Sequence, residues 1–284
     1  MTIGAITLEK KWRNRIPFII LLIIHASLMF YTFFKKKDRK DLVVLLFSNI
    51  GMAYLFEYFV LNLFKAYKYK PEFLKNQDLD NIFGAILSQA IYVPFTAVLI
   101  SGFGLGKFWK LLFSIYFTFI DYLFAKLKIY HHYWWKTGYS FFGIIFFFNL
   151  SDWWYEQLKN SNKKIQFLSL FLFTLSSGVN ILFILAIIKP FRFGYNSNFS
   201  WESHFKVLPL YSLIRTLYIA FVMCKGGLVS KISYFLLSFV TDELIKRTNL
   251  VRGKFNFKSN LFFHLLMLVV GCLGKQLIYG EKEH

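Results

Sequence analysis

Acidic residues recur at one comparable place in this chain: Glu57, Asp121 and the Asp242–Glu243 pair each stand near the far end of an apolar run. A connection rich in Lys and aromatic residues follows each of them, and then another apolar run. An ionised carboxylate at the centre of a bilayer costs about 2.5–3.5 kcal/mol on insertion scales, and less towards the interface. Such a group is neutral, paired, or turned towards a polar cavity. Arg215 lies in the middle of the run 208–223 and needs an anionic or carbonyl partner there. Glu57, Asp121, Arg215 and Glu243 are therefore the candidates for binding or moving a proton, a cation or the polar group of a solute.

Each candidate also has a reading as a local ion pair. Glu243 has Arg247 one turn further along a helix, and Asp121 has Lys126 nearby. Arg215 would neutralise Glu57 or Asp152 from another run. Glu57 has no basic residue within the following turn. Asp152 and Glu156, one turn apart around Trp153-Trp154-Tyr155, suit an interfacial anchor. Asn49, Asn62, Gln89, Asn149 and Asn180 are spread over four runs, as expected of interhelical hydrogen bonds worth ~0.6 kcal/mol each. His25 and His264 stand alone on apolar runs and suit packing. His131 and His132 are adjacent, point apart, and lack the acidic or thiol partners of a metal site. Gly102-Phe-Gly104-Leu-Gly106-Lys107 has the wrong glycine spacing for a phosphate loop and no hydroxyl after its lysine, so it reads as a turn. No catalytic signature occurs, and neither cofactor nor metal is expected.

The elements that must position these residues are apolar runs long enough to cross ~30 Å of hydrocarbon as helices. They cover 16–34, 42–64, 83–105, 108–126, 139–154, 165–188, 207–224, 232–245 and 261–279. The fifth and eighth are short, so eight or nine spans are expected. Only helices and closed barrels satisfy their backbone in lipid, and uninterrupted runs of this length exclude the barrel. With 56% hydrophobic and 21% aromatic residues, the chain has too little polar surface to cover a soluble core. The expected fold is an all-α polytopic transmembrane bundle, one integral membrane domain over residues 1–284, in a bacterial-type cytoplasmic membrane.

The net charge of +19 is spread over nearly every connection. That distribution suits attraction to a bilayer with anionic lipids and leaves no basic domain for a nucleic acid. The basic stretch Lys10–Arg15 before the first run resembles a signal-peptide opening, but no small-residue cleavage site follows, so an uncleaved first span is expected. Cys224 and Cys272 fit neither a disulfide framework nor a metal motif. The longest connections are 65–82, 126–138, 189–206 and 246–260, and their Tyr, Trp and Phe residues favour the headgroup region.

Asp121 to Thr137 can be laid without gaps on Glu243 to Ser259, matching acid, aliphatic, aromatic, lysine and hydroxyl positions in type. Glu57 with Tyr67, Tyr69 and Lys70 is a looser third copy. Helical-hairpin repeats of this sort are common in transporters.

Asp121 with Leu123-Phe124, Leu127, Ile129-Tyr130, His132, Trp135-Lys136-Thr137 and Tyr139, together with Ile91-Tyr92-Val93-Pro94-Phe95, resembles a family of small multi-pass membrane proteins of spore-forming Gram-positive bacteria. The resemblance covers roughly 57–139, and this chain has Asp121 where that pattern has Glu. That family carries no assigned activity, so the resemblance implies a membrane protein and no mechanism. The functional expectation is a non-enzymatic protein that binds or moves a small solute, proton or lipid. The alternative is a structural or assembly partner of another membrane protein, or of a second copy of this chain.

Overall fold

The computed structural model of the chain describes residues 3–188, 191–253, 255 and 257–280, with side chains from Trp12 onward except those of Phe257 and Ser259. Lys10 and Lys11 of the basic opening, Lys189 of the third connection, and Lys254, Asn256, Phe257 and Ser259 of the gapless alignment therefore lie wholly or in their side chains outside the described residues. Among the described residues there are nine continuous helices: α1 (Ile3–Lys35), α2 (Arg39–Leu63), α3 (Gln77–Phe103), α4 (Lys107–Lys126), α5 (Thr137–Lys159), α6 (Lys163–Ile188), α7 (Trp201–Lys225), α8 (Gly227–Arg247) and α9 (Phe257–Tyr279). All-helical is the architecture, as the uninterrupted apolar runs require. Seven of the nine are long and apolar enough to cross a membrane. The two that are not, α5 and α8, contain the runs that read as short. At 23 and 21 residues they are long enough, but charged and polar residues gather towards their C-terminal ends, Asp152, Glu156 and Lys159 in α5 and Asp242, Glu243, Lys246 and Arg247 in α8.

The chain divides into two compact units, Met1–Lys159 and Asn160–His284, where the sequence reads as one domain. The boundary is a three-residue turn at 160–162, too short to show as a linker, and the Asn162 side chain caps α6 by accepting from the Lys164 and Ile165 amides.

The long connections contain short strands that helical periodicity does not reveal: β1 (Tyr67–Tyr69), β2 (Tyr130–His132), β3 (Phe191–Phe193) and β4 (Val251–Gly253). In the first unit β1 pairs antiparallel with β2, Tyr67 opposite His132 and Tyr69 opposite Tyr130. In the second, β3 pairs antiparallel with β4, Phe191 opposite Gly253 and Phe193 opposite Val251. β1 reads Tyr-Lys-Tyr and β3 reads Phe-Arg-Phe, and in both the two aromatics are buried. Alternation of aromatic and basic residues is the period-two pattern of a half-buried strand. Each unit thus runs helix, strand, helix, helix, strand, helix; the first unit adds α1 ahead of it.

Each pairing closes one end of its unit, so the two helices between paired strands must run out and back. Side-chain bonds trace this over the middle of α7 and α8, where Tyr211 reaches Asp242 and, about two turns further along α7, Tyr218 reaches Ser233. Between α4 and α5 the bonds run from Asp121 with Thr137 and Ser140 to Lys110 with Asn149 and Asp152. On α8, Leu228, Ile232, Leu236, Val240 and Leu244 form an exposed apolar stripe one turn apart.

Two local irregularities belong to the first unit. The last six residues of α2, Tyr58–Leu63, and the middle of α3, Leu87–Tyr92, are π-helical, a wider turn that is frequent at functional sites. The glycine-rich segment after α3 is a turn, with Gly104 in the left-handed conformation (φ +62°) that ends the helix. Gly84 is where α3 passes closest to β1: a Cβ there would lie 2.5 Å from the Tyr69 Cβ.

Gly84→Ala is therefore expected to destabilise the protein by about 1–3 kcal/mol through overpacking. Gly143→Ala in α5, whose Cβ meets no atom within 4 Å, should gain about 0.5–1 kcal/mol from helix propensity. Reversible unfolding in mixed detergent micelles checks both signs.

Candidate functional site

In the first unit the strand pair and the adjacent helix ends enclose a cavity of about 320 Å³. Buried aromatics form its wall. Tyr69 and Tyr130 have ring centroids 4.7 Å apart, Tyr67 and Tyr130 5.1 Å, and Tyr67 and Trp135 5.4 Å. Phe18 of α1 with Phe117 and Phe124 of α4 supply further apolar surface. The polar groups facing it are few: Ser88 and Gln89 on the π-helical part of α3, Asp121 near the end of α4, and Ser140 on α5. The rim includes Phe56, Tyr139, Gly143 and Phe146, all exposed, so the cavity opens on the side of the unit between α2 and α5.

Asp121 is held by the start of α5 rather than by Lys126. Its Oδ1 accepts from the Thr137 hydroxyl at 3.0 Å, its Oδ2 from Ser140 at 2.5 Å, and His132 Nε2 lies 2.9 Å from Oδ1. Glu57 stands behind the wall. Its Oε1 accepts from the Tyr67 hydroxyl and from the Gln89 amide, each at 2.6 Å, while Oε2 is buried and has no hydrogen-bond partner among the described residues. Tyr67 and Gln89 line the cavity, so Glu57 fixes two of its lining groups from outside. Burial, with the Glu57 charge added for Tyr67 and Tyr69, pushes the hydroxyls of Tyr67, Tyr69 and Tyr130 well above the usual tyrosine range. All three remain neutral donors.

The second unit carries its own carboxylate, and it is Asp242. Fully buried, it accepts from the Tyr211 hydroxyl at 2.8 Å and from Asn260 Nδ2 at 3.1 Å. His264 Nε2 lies 2.8 Å away, and Arg215 Nη1 lies 3.6 Å from Oδ1. Arg215 Nη2, with two protons to share, lies 2.8 Å from the Tyr234 hydroxyl, 2.7 Å from that of Ser238 and 2.7 Å from His264 Nδ1. A guanidinium has only protons to give, so His264 Nδ1 accepts and its Nε2 carries the proton donated to Asp242. The guanidinium carbon also lies 5.2, 5.4 and 5.8 Å from the rings of Tyr211, Tyr234 and Phe263, an aromatic enclosure for a cation.

The partner of Arg215 is thus Asp242 on the adjacent helix, where the sequence reading offered Glu57 or Asp152. Asp152 pairs with Lys110 at 2.5 Å and accepts from Ser101 at 2.6 Å, both within the first unit. Glu243 is half-buried and forms no ion pair with Arg247 among the described residues. The four candidates split two and two between the units: Asp121 lines the cavity and Glu57 stands behind its wall, while Arg215 builds the buried network and Glu243 stands beside that network outside it. His264, read from sequence as packing, is a member. A spacing signal for the network does exist: Tyr211 and Arg215, Tyr234, Ser238 and Asp242, and Asn260 and His264 lie one helical turn apart on α7, α8 and α9.

Counting within each unit brings the two sites into register. Asp121 stands nine residues before the first residue of β2, and Asp242 nine before the first of β4. Ser140 is the fourth residue of α5 and Asn260 the fourth of α9, and each bonds its carboxylate. The gapless alignment sets Asp121 on Glu243; the strands shift it by one residue, onto Asp242.

No family model, no curated protein and no solved structure matches the chain. Its fold and helix composition define it as an all-helical membrane protein of two units, each with a carboxylate beside its strand pair.

Removing the charge of Asp242 leaves Arg215 buried and uncompensated. Asp242→Asn is expected to cost about 3–5 kcal/mol. Glu243→Gln, one residue on, should change stability by no more than about 0.5 kcal/mol. Comparative unfolding of the two variants in detergent checks the contrast.

Proposed function

We propose that the protein is an internally duplicated, nine-span membrane protein of the bacterial cytoplasmic membrane, and that its first unit binds a small apolar-bodied solute or lipid. The carrying observation is the cavity of about 320 Å³, walled by aromatics, with Asp121, Gln89 and Ser140 as its few polar groups. A large apolar cavity with a small number of convergent polar groups is the general form of a small-molecule site. The exposed rim at Phe56, Tyr139, Gly143 and Phe146 gives access from the side, where a membrane solute would arrive. π-helical segments beside Glu57 and around Gln89 support the same assignment.

Asp121 is the polar anchor in this reading. Glu57 is a positioning residue that orients Tyr67 and Gln89 and does not itself line the cavity. Nine spans are favoured by the antiparallel side-chain bonding of α5 to α4 and of α8 to α7, since a helix packed along a membrane-crossing neighbour crosses with it. Duplication is supported by the shared element order, the shared strand register and the equal spacing of Asp121 and Asp242 from their strands.

Native mass spectrometry of protein extracted from its own membranes tests the binding reading. The wild type is expected to carry a co-purifying small molecule or lipid that Gly143→Trp displaces, because a side chain at 143 enters open space at the rim. Identical adducts on wild type and Gly143→Trp, or none on either, would favour the assembly role and end the binding reading.

A further inference from the structure

The second unit shows what the cavity of the first is missing. Three residues fill the middle of the second unit's site: Arg215, Phe263 and His264. Phe263 and His264 are the seventh and eighth residues of α9; the seventh and eighth of α5 are Gly143 and Ile144, and both line the cavity. Arg215 lies 22 residues after the last residue of β3 and ten before the last of α7. The same counts in the first unit, around the π-helical segment of α3, give 91–93, where Tyr92 and Val93 line the cavity. A large ring is replaced by no side chain, an imidazole by isoleucine, and a guanidinium by nothing basic. The carboxylate at the centre is kept.

The cavity of the first unit therefore corresponds to the volume that Arg215, Phe263 and His264 occupy in the second. Among the described residues no Lys, Arg or His lines it. His132, close to Asp121 Oδ1, ends β2 outside the lining, and its counterpart at the end of β4 is Gly253. What remains facing the cavity is a carboxylate, an amide, hydroxyls and the faces and edges of Tyr67, Tyr69, Tyr130 and Trp135. Negative charge with aromatic faces selects cations, most strongly where water is excluded.

We infer that the solute of the first unit is an organic cation, an alkyl guanidinium or ammonium, whose charged group takes the place that the Arg215 guanidinium holds in the second unit. The inference rests on the binding reading and adds the chemical class of the ligand. The second unit is then a self-filled copy of the site, with the cation supplied by its own chain and the carboxylate neutralised permanently. In the first unit the apolar part of the ligand stands for what Phe263 supplies in the second. The same cationic group can come from a free amine or from the headgroup of a lipid.

The test compares radiolabelled n-octylguanidinium with n-octylurea, a neutral molecule of nearly the same shape, on the full chain in an uncharged maltoside detergent. Wild type is expected to bind the cation roughly tenfold or more tighter than the urea. Asp121→Asn should abolish that preference, and Asp121→Glu should keep it, which separates loss of charge from loss of fold. Equal binding of the two molecules, lost together in Gly143→Trp, would overturn the cation assignment and leave the binding reading intact. Binding that Gly143→Trp does not reduce would overturn both. Displacement by water-soluble n-butylguanidinium supports a free amine, and displacement only by phosphatidylethanolamine supports a lipid headgroup.

Discussion

A carboxylate buried among membrane-length helices is the constraint around which each unit is arranged. Its charge cannot be solvated by lipid, so hydrogen-bond donors must come to it from neighbouring helices. In the second unit five side chains from three helices converge on Asp242 and on the guanidinium beside it. The geometry of α7, α8 and α9 is fixed by that convergence as much as by apolar packing. In the first unit Asp121 draws the start of α5 against the end of α4 through Thr137 and Ser140. The strand pair next to each carboxylate holds the helix ends in the register this requires.

The two units settle the same problem differently. One neutralises its carboxylate with a residue of its own and packs the space around it: Arg215 is almost fully buried and Asp242 completely so. The other leaves an aromatic cavity beside its carboxylate and has π-helical turns in two of the helices that contribute to its lining, Tyr58–Leu63 of α2 and Leu87–Tyr92 of α3. Glu57, the last residue before the first of these π-helical turns, keeps a buried oxygen with no hydrogen-bond partner among the described residues. On the proposed reading, one copy of a duplicated site has become structural and the other has stayed open.

The helical membrane architecture was legible in the apolar runs, because nothing but helix satisfies a backbone over that length in lipid. The recurrence of acids beside aromatic connections was legible too. The strands were not, since three residues of Tyr-Lys-Tyr or Phe-Arg-Phe are too few for periodicity to register against long helices. Without the strands, the gapless alignment had no reason to prefer Asp242 over Glu243; on the proposed duplication, counting from the strands sets Asp121 against Asp242. Partners of Arg215 were equally out of reach by proximity: Asp242 and His264 lie 27 and 49 residues away in sequence. The turn-spaced polar residues on α7, α8 and α9 held that information, but only once three helices were known to face one another. The cavity had no sequence signal at all, because Gly143 and Ile144 look like ordinary membrane residues until Phe263 and His264 are set beside them.

The central claim is that the second unit binds a cation by the same arrangement that awaits one in the first. Replacement of Arg215 with alanine empties that arrangement, and methylguanidinium at millimolar concentration can be offered in its place. The account predicts that the thermal stability of Arg215→Ala rises with methylguanidinium, that wild type does not respond, and that methylurea has no effect. If methylguanidinium stabilises the variant no better than methylurea, the arrangement is not a cation site, and the correspondence between the units loses its chemical meaning.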